Sequence, residues 1–416
     1  MRFIPGGITA PIGFKANGLS CGIKKSGKKD LSLIYSETMC DAVGTFTTNK
    51  VSASCVAISS EHLKNGKAQA IIANSGNANC MTGKYGFKDS RTMTALAAKE
   101  LGLKGADVCV ASTGVIGHPL PIQLIEKAVP ELAKGLSAKG SRNAAQGIMT
   151  TDHMMKEAAV EIMIGKTPVR IGAIAKGAGM IHPEMALAPA SSAKSSGGPK
   201  HATMLCFVTT DASIAPTALR EALNAGVQDS FNMITIDGDM STNDMVLVLA
   251  NGMAKNKKIS AKSKEARVFA QALQEILLKL AQLIVKDAEG ATKFVEVTVS
   301  GAASREDARK AARTVASSNL VKCALFGSDP NWGRIAAAAG RSGAHVDSSK
   351  MKIYLGNELV LKNGGEVKKG AGVLDKVFAK KDIKISLDLG LGKHSAVAYT
   401  CDLSTKYVTL NSAYHT

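Results

Sequence analysis

The sequence reads as an α/β chain, on three observations. Short apolar runs of strand length recur between Gly- and Thr-rich turns. Longer stretches carry apolar residues at helical spacing, the longest from Ser263 to Lys286. The two kinds of segment alternate along the whole chain. A length of 416 residues is enough for a large core and for two or more domains, and 45% hydrophobic content marks a globular protein.

In order, Leu31–Tyr35, Val43–Thr47 and Cys55–Ile58 read as strands, and Ala68–Ala73 as a further buried strand. The polar loop Asn74-Ser75-Gly76-Asn77-Ala78-Asn79-Cys80 follows. Asp89 to Leu101 reads as a helix, with Asp89 or Ser90 as N-cap and Gly102 as the stop. Val108–Ala111 is a strand leading into Ser112-Thr113-Gly114. Pro121 to Leu136 has helical character interrupted at Pro130. Val160–Ile164 and Val169–Ile174 form a hairpin with Pro168 in its turn, and the second strand delivers Lys176. Met204–Thr209 is a strand and Thr217 to Ala225 a helix. In the Ser263–Lys286 helix, Ser263 is the N-cap and Leu273, Ile276, Leu277, Leu280 and Ile284 form one apolar face. Phe294–Val299 is a strand, Arg305 to Ser317 a helix and Ile335–Gly340 a small-residue helix. Lys352 to Leu410 alternates strands with Gly turns.

Composition excludes several function classes. Lys and Arg exceed Asp and Glu by 52 to 34, a net charge of +18. That balance suits a nucleic-acid partner. Aromatic residues are only 4%, however, and the one compact basic block is Lys24-Lys25-Ser26-Gly27-Lys28-Lys29. No nucleic-acid partner is therefore expected, and a basic surface also suits a site that attracts anionic amino acids such as glutamate. A non-enzymatic basic binding protein stays as the rival. The eight cysteines are scattered without a CxxC pair, which points to reduced, buried thiols. The eight histidines show no HExxH or HxH cluster, so no metal is expected. No uninterrupted apolar run reaches the roughly 18 residues of a membrane span. The N-terminus lacks the pattern of a signal or transit peptide, so the chain reads as cytoplasmic.

Several strings carry chemistry. Lys176-Gly177-Ala178-Gly179-Met180-Ile181-His182-Pro183 is a Gly-rich turn bearing a lysine. A loop rich in Ala, Ser, Gly and Pro follows, and then Thr203 ahead of an apolar run. On local pattern alone Thr203 is a surface turn residue, and Thr113-Gly114 a common turn. Thr150-Thr151-Asp152 can cap a helix. The run Ser230-Phe231-Asn232-Met233-Ile234-Thr235-Ile236-Asp237-Gly238-Asp239-Met240-Ser241-Thr242-Asn243-Asp244 is dense in acids and amides but lacks EF-hand spacing. Its charges can cap the next helix and bond buried backbone. Trp332, the only tryptophan, lies in Gly327-Ser328-Asp329-Pro330-Asn331-Trp332-Gly333-Arg334 and reads as packing.

The Lys176–Pro183 string followed by Ala202-Thr203-Met204-Leu205 resembles the self-cleaving segment of the ornithine acetyltransferase (ArgJ) family. The Ser230–Asp244 run, the Asn-rich loop, Asp287-Ala288-Glu289-Gly290-Ala291-Thr292-Lys293 and Gly327–Arg334 match the same family. The fold that the resemblance implies is the DmpA/ArgJ-like α/β class, with β-sheet layers flanked by helices. It also implies self-cleavage between Ala202 and Thr203, giving chains 1–202 and 203–416 in an α₂β₂ assembly. The family's run from the Pro183 position to the threonine is unbroken, whereas here a low-complexity insert of about 187–201 intervenes.

The resemblance implies that Thr203 is the nucleophile. A threonine hydroxyl needs an adjacent base, and the α-amino group released by cleavage, with a pKa of roughly 7.7–8.0, can serve. Thr113 and the Gly114 backbone N–H carry over as the oxyanion hole. Thr150, Lys176, Glu289, Asn411 and Thr416 carry over as substrate contacts. The implied reaction is acetyl transfer from N2-acetyl-L-ornithine to L-glutamate without a cofactor. Acetyl-CoA is a co-substrate that the resemblance leaves open. An N-terminal-nucleophile aminopeptidase of related fold is the first alternative, ahead of the basic binding protein.

Overall fold

One 17-residue strand, Leu31–Thr47, carries the larger sheet. In the computed structural model, which describes residues 1–187 and 201–413, this strand pairs antiparallel with Phe14–Leu19, Lys67–Asn77, Met245–Ala250 and Met185–Leu187. Sequence reading split it in two. The polar residues around Glu37 lie at a register shift between Tyr35 and Cys40, so they mark a bulge and not an end.

Among the described residues the sheet has eleven strands. Its main path runs Arg2–Ile4, Lys156–Ile164, Thr167–Lys176, Leu205–Thr210, Met245–Ala250, Leu31–Thr47, Lys67–Asn77, Val108–Val115 and His201–Ala202. Leu205–Thr210 lies between an antiparallel and a parallel neighbour, and every residue in it is buried. Such a strand reads as a continuous apolar run because both of its faces are covered. Val110, Ile72, Phe207 and Leu247 from the strands share one core with Met93 and Ile125 from helices Gly83–Leu101 and Ile122–Lys134. This unit comprises Met1–Asn232 and Met240–Ile284.

The second unit comprises Met233–Asp239 and the chain from Val285 onward. Its six-stranded sheet runs Gly365–Glu366, Glu358–Lys362, Lys352–Leu355, Asp382–Asp388, Phe294–Ala302 and His394–Cys401. Val295, Val297 and Val299 alternate inward and pack on Ala308, Ala311 and Val315 of helix Arg305–Ser317. Ser304 caps that helix by accepting the Asp307 N–H. Trp332 opens helix Trp332–Gly340 and packs against the same core, as expected.

Several local expectations need correction. Cys55–Ile58 is part of helix Ser54–His62, since a four-residue apolar run does not distinguish strand from helix. Asp89 and Ser90 lie inside helix Gly83–Leu101, where Ser90 is buried against Ser54 and Asn79. The stop at Gly102, in the left-handed region, is as expected. Pro130 does not break its helix, because buried Ile125, Val129 and Leu132 hold Ile122–Lys134 continuous across it. Pro168 sits in a strand opposite Met163, and the turn is Gly165-Lys166. The Ser230–Asp244 run leads into a strand, Met245–Ala250, so its acids cap no helix there. The C-terminal region ends in helix Thr405–Ala413. Leu187 and His201 belong to strands, while residues 188–200 of the expected insert lie outside the described residues. Of the cysteines, Cys323 is exposed and Cys21 half-buried.

Ser263 accepts the Ala266 N–H at 3.0 Å at the start of helix Lys264–Lys286, as a cap should. By length and mean hydropathy that helix could cross a membrane. Glu275 and Lys279 interrupt it, however, and Leu273, Ile276, Leu277, Leu280 and Ile284 are fully buried within the protein. The apolar stripe that raises its hydropathy is the packing face of a core helix.

Candidate active site

The Thr167–Lys176 strand ends on a lysine with no exposed surface. A buried ammonium persists only where protein groups replace its water. Lys176 Nζ donates to Thr150 Oγ1 at 2.7 Å and to Thr113 Oγ1 at 3.1 Å. Thr113 lies in strand Val108–Val115, and Thr150 in the loop after helix Ser141–Ile148. One cation thus gathers hydroxyls from two distant stretches of sequence.

Asp152 organises the far side of this group. Its carboxylate accepts the Thr150 N–H at 3.0 Å, the Gly177 N–H at 2.8 Å and Lys156 Nζ at 2.6 Å. Burial alone would raise its pKa. The ammonium groups of Lys156 and Lys176 and the Gly177 N–H instead hold it well below the usual carboxylate range. Its carboxylate thus ties the Thr150 loop and the Gly177 turn to two buried lysines.

Thr203 is buried and joins strand His201–Ala202 to strand Leu205–Thr210. Ala202 pairs with Gly114 across the sheet. Gly114 has φ +129°, and a Cβ there would lie 2.4 Å from the Gly76 carbonyl carbon, so only glycine fits. The Thr113 hydroxyl, already accepting from Lys176, donates toward the Thr203 carbonyl oxygen at 3.5 Å. On the other side, the Thr203 N–H donates to Ser241 Oγ at 2.6 Å, and the Met204 N–H to Asp244 Oδ1 at 2.9 Å. Asn243 Nδ2 donates to the Ala78 and Ser112 carbonyls at 2.8 and 2.7 Å, tying the Asn-rich loop to the Thr113 strand. Burial pushes the Asp244 carboxyl up to about 7, opposed by the Met204 N–H, the Ser241 hydroxyl and the Lys176 charge. Its Oδ2 has no hydrogen-bond partner among the described residues.

The structure therefore brings Thr113, Gly114, Thr150, Lys176, Ala202 and Thr203 together within the first unit. In the second unit, Asn411 Nδ2 donates to Glu289 Oε2 at 3.1 Å, so these two candidates also meet each other. Thr416 lies outside the described residues. Among the described residues no group of three His, Cys, Asp or Glu side chains clusters as metal ligands do. Sequence reading did not single out Ser241, Asp244 or Asp152 as site residues. The available signal was polar density immediately before a six-residue apolar strand, since buried polar residues in such a position must satisfy backbone.

Fold and site together define an α/β protein with a buried polar cluster gathered around Lys176 and Thr203. Residues 15–416 match the model of the ArgJ family, and the chain belongs to that family. It is 47% identical to the arginine biosynthesis bifunctional protein ArgJ of Symbiobacterium thermophilum, over 100% of both chains. Among solved structures it is similar to the ArgJ protein of Bacillus halodurans, at 41% identity and a TM-score of 0.49, covering 50% of this chain and 98% of that one. The ornithine acetyltransferase of Mycobacterium tuberculosis, solved in complex with ornithine, is 37% identical with a TM-score of 0.42, covering 44% of this chain and 99% of that one.

Proposed function

We propose that this chain transfers an acetyl group from N2-acetyl-L-ornithine to L-glutamate, a step of arginine biosynthesis, by a ping-pong route through acetyl-Thr203. Family membership supports the reaction class. One observation carries the residue assignments: a buried ammonium, Lys176, polarises the Thr113 hydroxyl beside Thr203. The Ala202–Thr203 bond is cut first. Thr203 Oγ1 attacks the Ala202 carbonyl carbon, the C–N bond breaks, and water hydrolyses the resulting ester. The freed α-amine then serves as base for the same hydroxyl.

In the forward reaction Thr203 attacks the acetamide carbonyl. Thr113 and the Gly114 N–H stabilise the oxyanion. Ornithine leaves with a proton from the ammonium, and glutamate enters to take the acetyl group. Thr150, Lys176, Glu289, Asn411 and Thr416 orient the amino-acid part common to both substrates. The working enzyme is an α₂β₂ assembly of chains 1–202 and 203–416, acts in the cytoplasm and needs no cofactor. Acetyl-CoA is tested as a second donor.

Denaturing electrophoresis with intact mass is the test. Two fragments are expected, the second beginning at Thr203, and Thr203→Ala should remain one uncut chain without acetyl transfer. A single full-length polypeptide that still converts both substrates overturns the reading. Release of amino acids from peptides without acetyl transfer to glutamate would assign an aminopeptidase instead.

A further inference from the structure

Ser241, Thr242, Asn243 and Asp244 are all buried, although each carries a polar side chain. Asn243 is accounted for by the two carbonyls it binds, and Thr242 donates to Asn243 Oδ1 at 2.8 Å. Ser241 and Asp244 are different, because they meet consecutive backbone nitrogens at the scission point, those of Thr203 and Met204. Ser241 Oγ accepts two N–H groups, from Thr203 at 2.6 Å and from Asn243 at 3.2 Å. A hydroxyl has two lone pairs and one proton. With both lone pairs engaged, it holds the Thr203 nitrogen as an acceptor, while Asp244 Oδ1 accepts the next N–H, that of Met204, at 2.9 Å. A hydroxyl and a carboxyl thus hold the two backbone nitrogens on either side of the Thr203 Cα.

We propose that Ser241 and Asp244 are positioning residues for the amine that scission releases at Thr203. Ser241 holds its N–H so that its lone pair faces its own hydroxyl, and Asp244, fixed on the next nitrogen, supplies negative charge for the ammonium that forms. The proposal rests on the reading of Thr203 as nucleophile. In the acylation step the Thr203 O–H bond breaks and its proton joins the amine. The oxygen's electron pair closes a C–O bond on the acyl carbon, and the carbonyl π pair moves onto the carbonyl oxygen. On collapse the C–N bond of the donor breaks, and its electron pair takes the proton back from the ammonium. The amine therefore alternates between neutral and charged, and Ser241 accepts an N–H from it in both states. Lys176 is the charged group that acts on Asp244, from the far side of strand Leu205–Thr210, and its bonds to Thr113 and Thr150 hold it there. Burial also leaves Asp244 near the point of ionisation, so it gains charge readily when a cation appears beside it.

The test uses the full chain and sets a baseline first. A cut, active wild type and an uncut, inactive Thr203→Ala establish the nucleophile; without that pair of results it is the nucleophile reading that has failed. Ser241→Ala and Asp244→Asn are then followed by intact mass and by pH profiles of kcat and kcat/KM. Each should lower kcat about 10–100-fold with KM little changed, the loss of a charge-assisted hydrogen bond. The acid limb of kcat/KM should move to lower pH, because the ammonium loses its acceptor or its counter-charge. Ser241→Thr should restore most of the activity. If Ser241→Ala stays uncut while Ser241→Thr is cut, the hydroxyl acts on the same nitrogen before scission, which also supports the proposal. Cut variants with an unmoved acid limb and kcat within about twofold of wild type overturn it. So does an equal loss of cleavage in both Ser241 variants, which would mark a purely structural role.

Discussion

Two fully buried lysines, Lys176 in the first unit and Lys322 in the second, invite comparison. Lys322 rises from helix Asn319–Phe326, and its Nζ donates to the Cys401 carbonyl and to Thr400 Oγ1 at 3.1 Å, with Cys401 Sγ at 3.5 Å. Its own carbonyl accepts the Leu403 N–H, so the residue staples a helix to the end of strand His394–Cys401. Lys176 meets two threonine hydroxyls, with the Asp152 and Asp244 carboxylates acting on or being acted on by its charge. The difference lies in what the acceptor can do next. The Thr400 hydroxyl turns back at 3.4 Å to the Cys401 carbonyl that Lys322 already binds, so polarisation ends within the staple, whereas the Thr113 hydroxyl passes it on toward Thr203. Burial of a lysine alone therefore does not set the two apart; where the hydroxyl it polarises leads does.

Removing each ammonium tests that contrast most strongly. Lys176→Met should lower kcat about 10²–10³-fold, and Thr113→Val about 10²-fold, both read by steady-state acetyl transfer. Lys322→Met should keep kcat within about threefold and lose about 1–3 kcal/mol of stability in urea denaturation. A Lys322→Met enzyme of normal stability and poor activity would break the comparison.

Acid titration sharpens it further. Asp244 is raised to about 7 and Asp152 is depressed. In the uncut Thr203→Ala chain, Asp244 binds a proton in the folded state that the unfolded state, with a carboxyl near about 3.9, has released. Its contribution to stability is present below about pH 4 and is lost as pH rises toward about 7. Asp152 contributes in the opposite sense, present above about pH 4 and lost below it. Adding Asp244→Asn should flatten the fall in urea midpoint between about pH 4 and pH 7 and leave the acid loss unchanged. The smallest effect is expected at the exposed pair in the second unit. Asn411→Ala should raise KM for acetylornithine about 2–10-fold, the worth of one such hydrogen bond, with kcat retained.

Much of the scaffold was legible before any coordinates. The helices Arg305–Ser317 and Lys264–Lys286, with the cap at Ser263, follow from apolar spacing and local hydrogen bonding. Thr113, Thr150, Lys176 and Thr203 were reached through resemblance, and the chain's membership in the ArgJ family agrees with the strings that suggested it. The misreadings share one cause. Cys55–Ile58 and the Leu31–Thr47 strand were judged from windows too short to report what packs around them. The Ser230–Asp244 run reads as structural around the nucleophile, but Ser241 and Asp244 do not stand out within it, because their bonds to Thr203 and Met204 span 38 and 40 residues.

Alternation of strand and helix, the apolar stripe of the long helix, and the separated strings that mark the family are properties of the chain read in one dimension. Which hydroxyls meet Lys176 is not, since Thr113 and Thr150 stand 63 and 26 residues from it, Thr113 on a strand that is no neighbour of its own in the sheet, and only the closed fold brings them to its ammonium. Asp152 and Asp244 carry the same side chain in sequence and are shifted in opposite directions in the fold. The sign of a carboxyl's shift is a contest between lost water and gained partners, and both are counted only after the chain has closed around it.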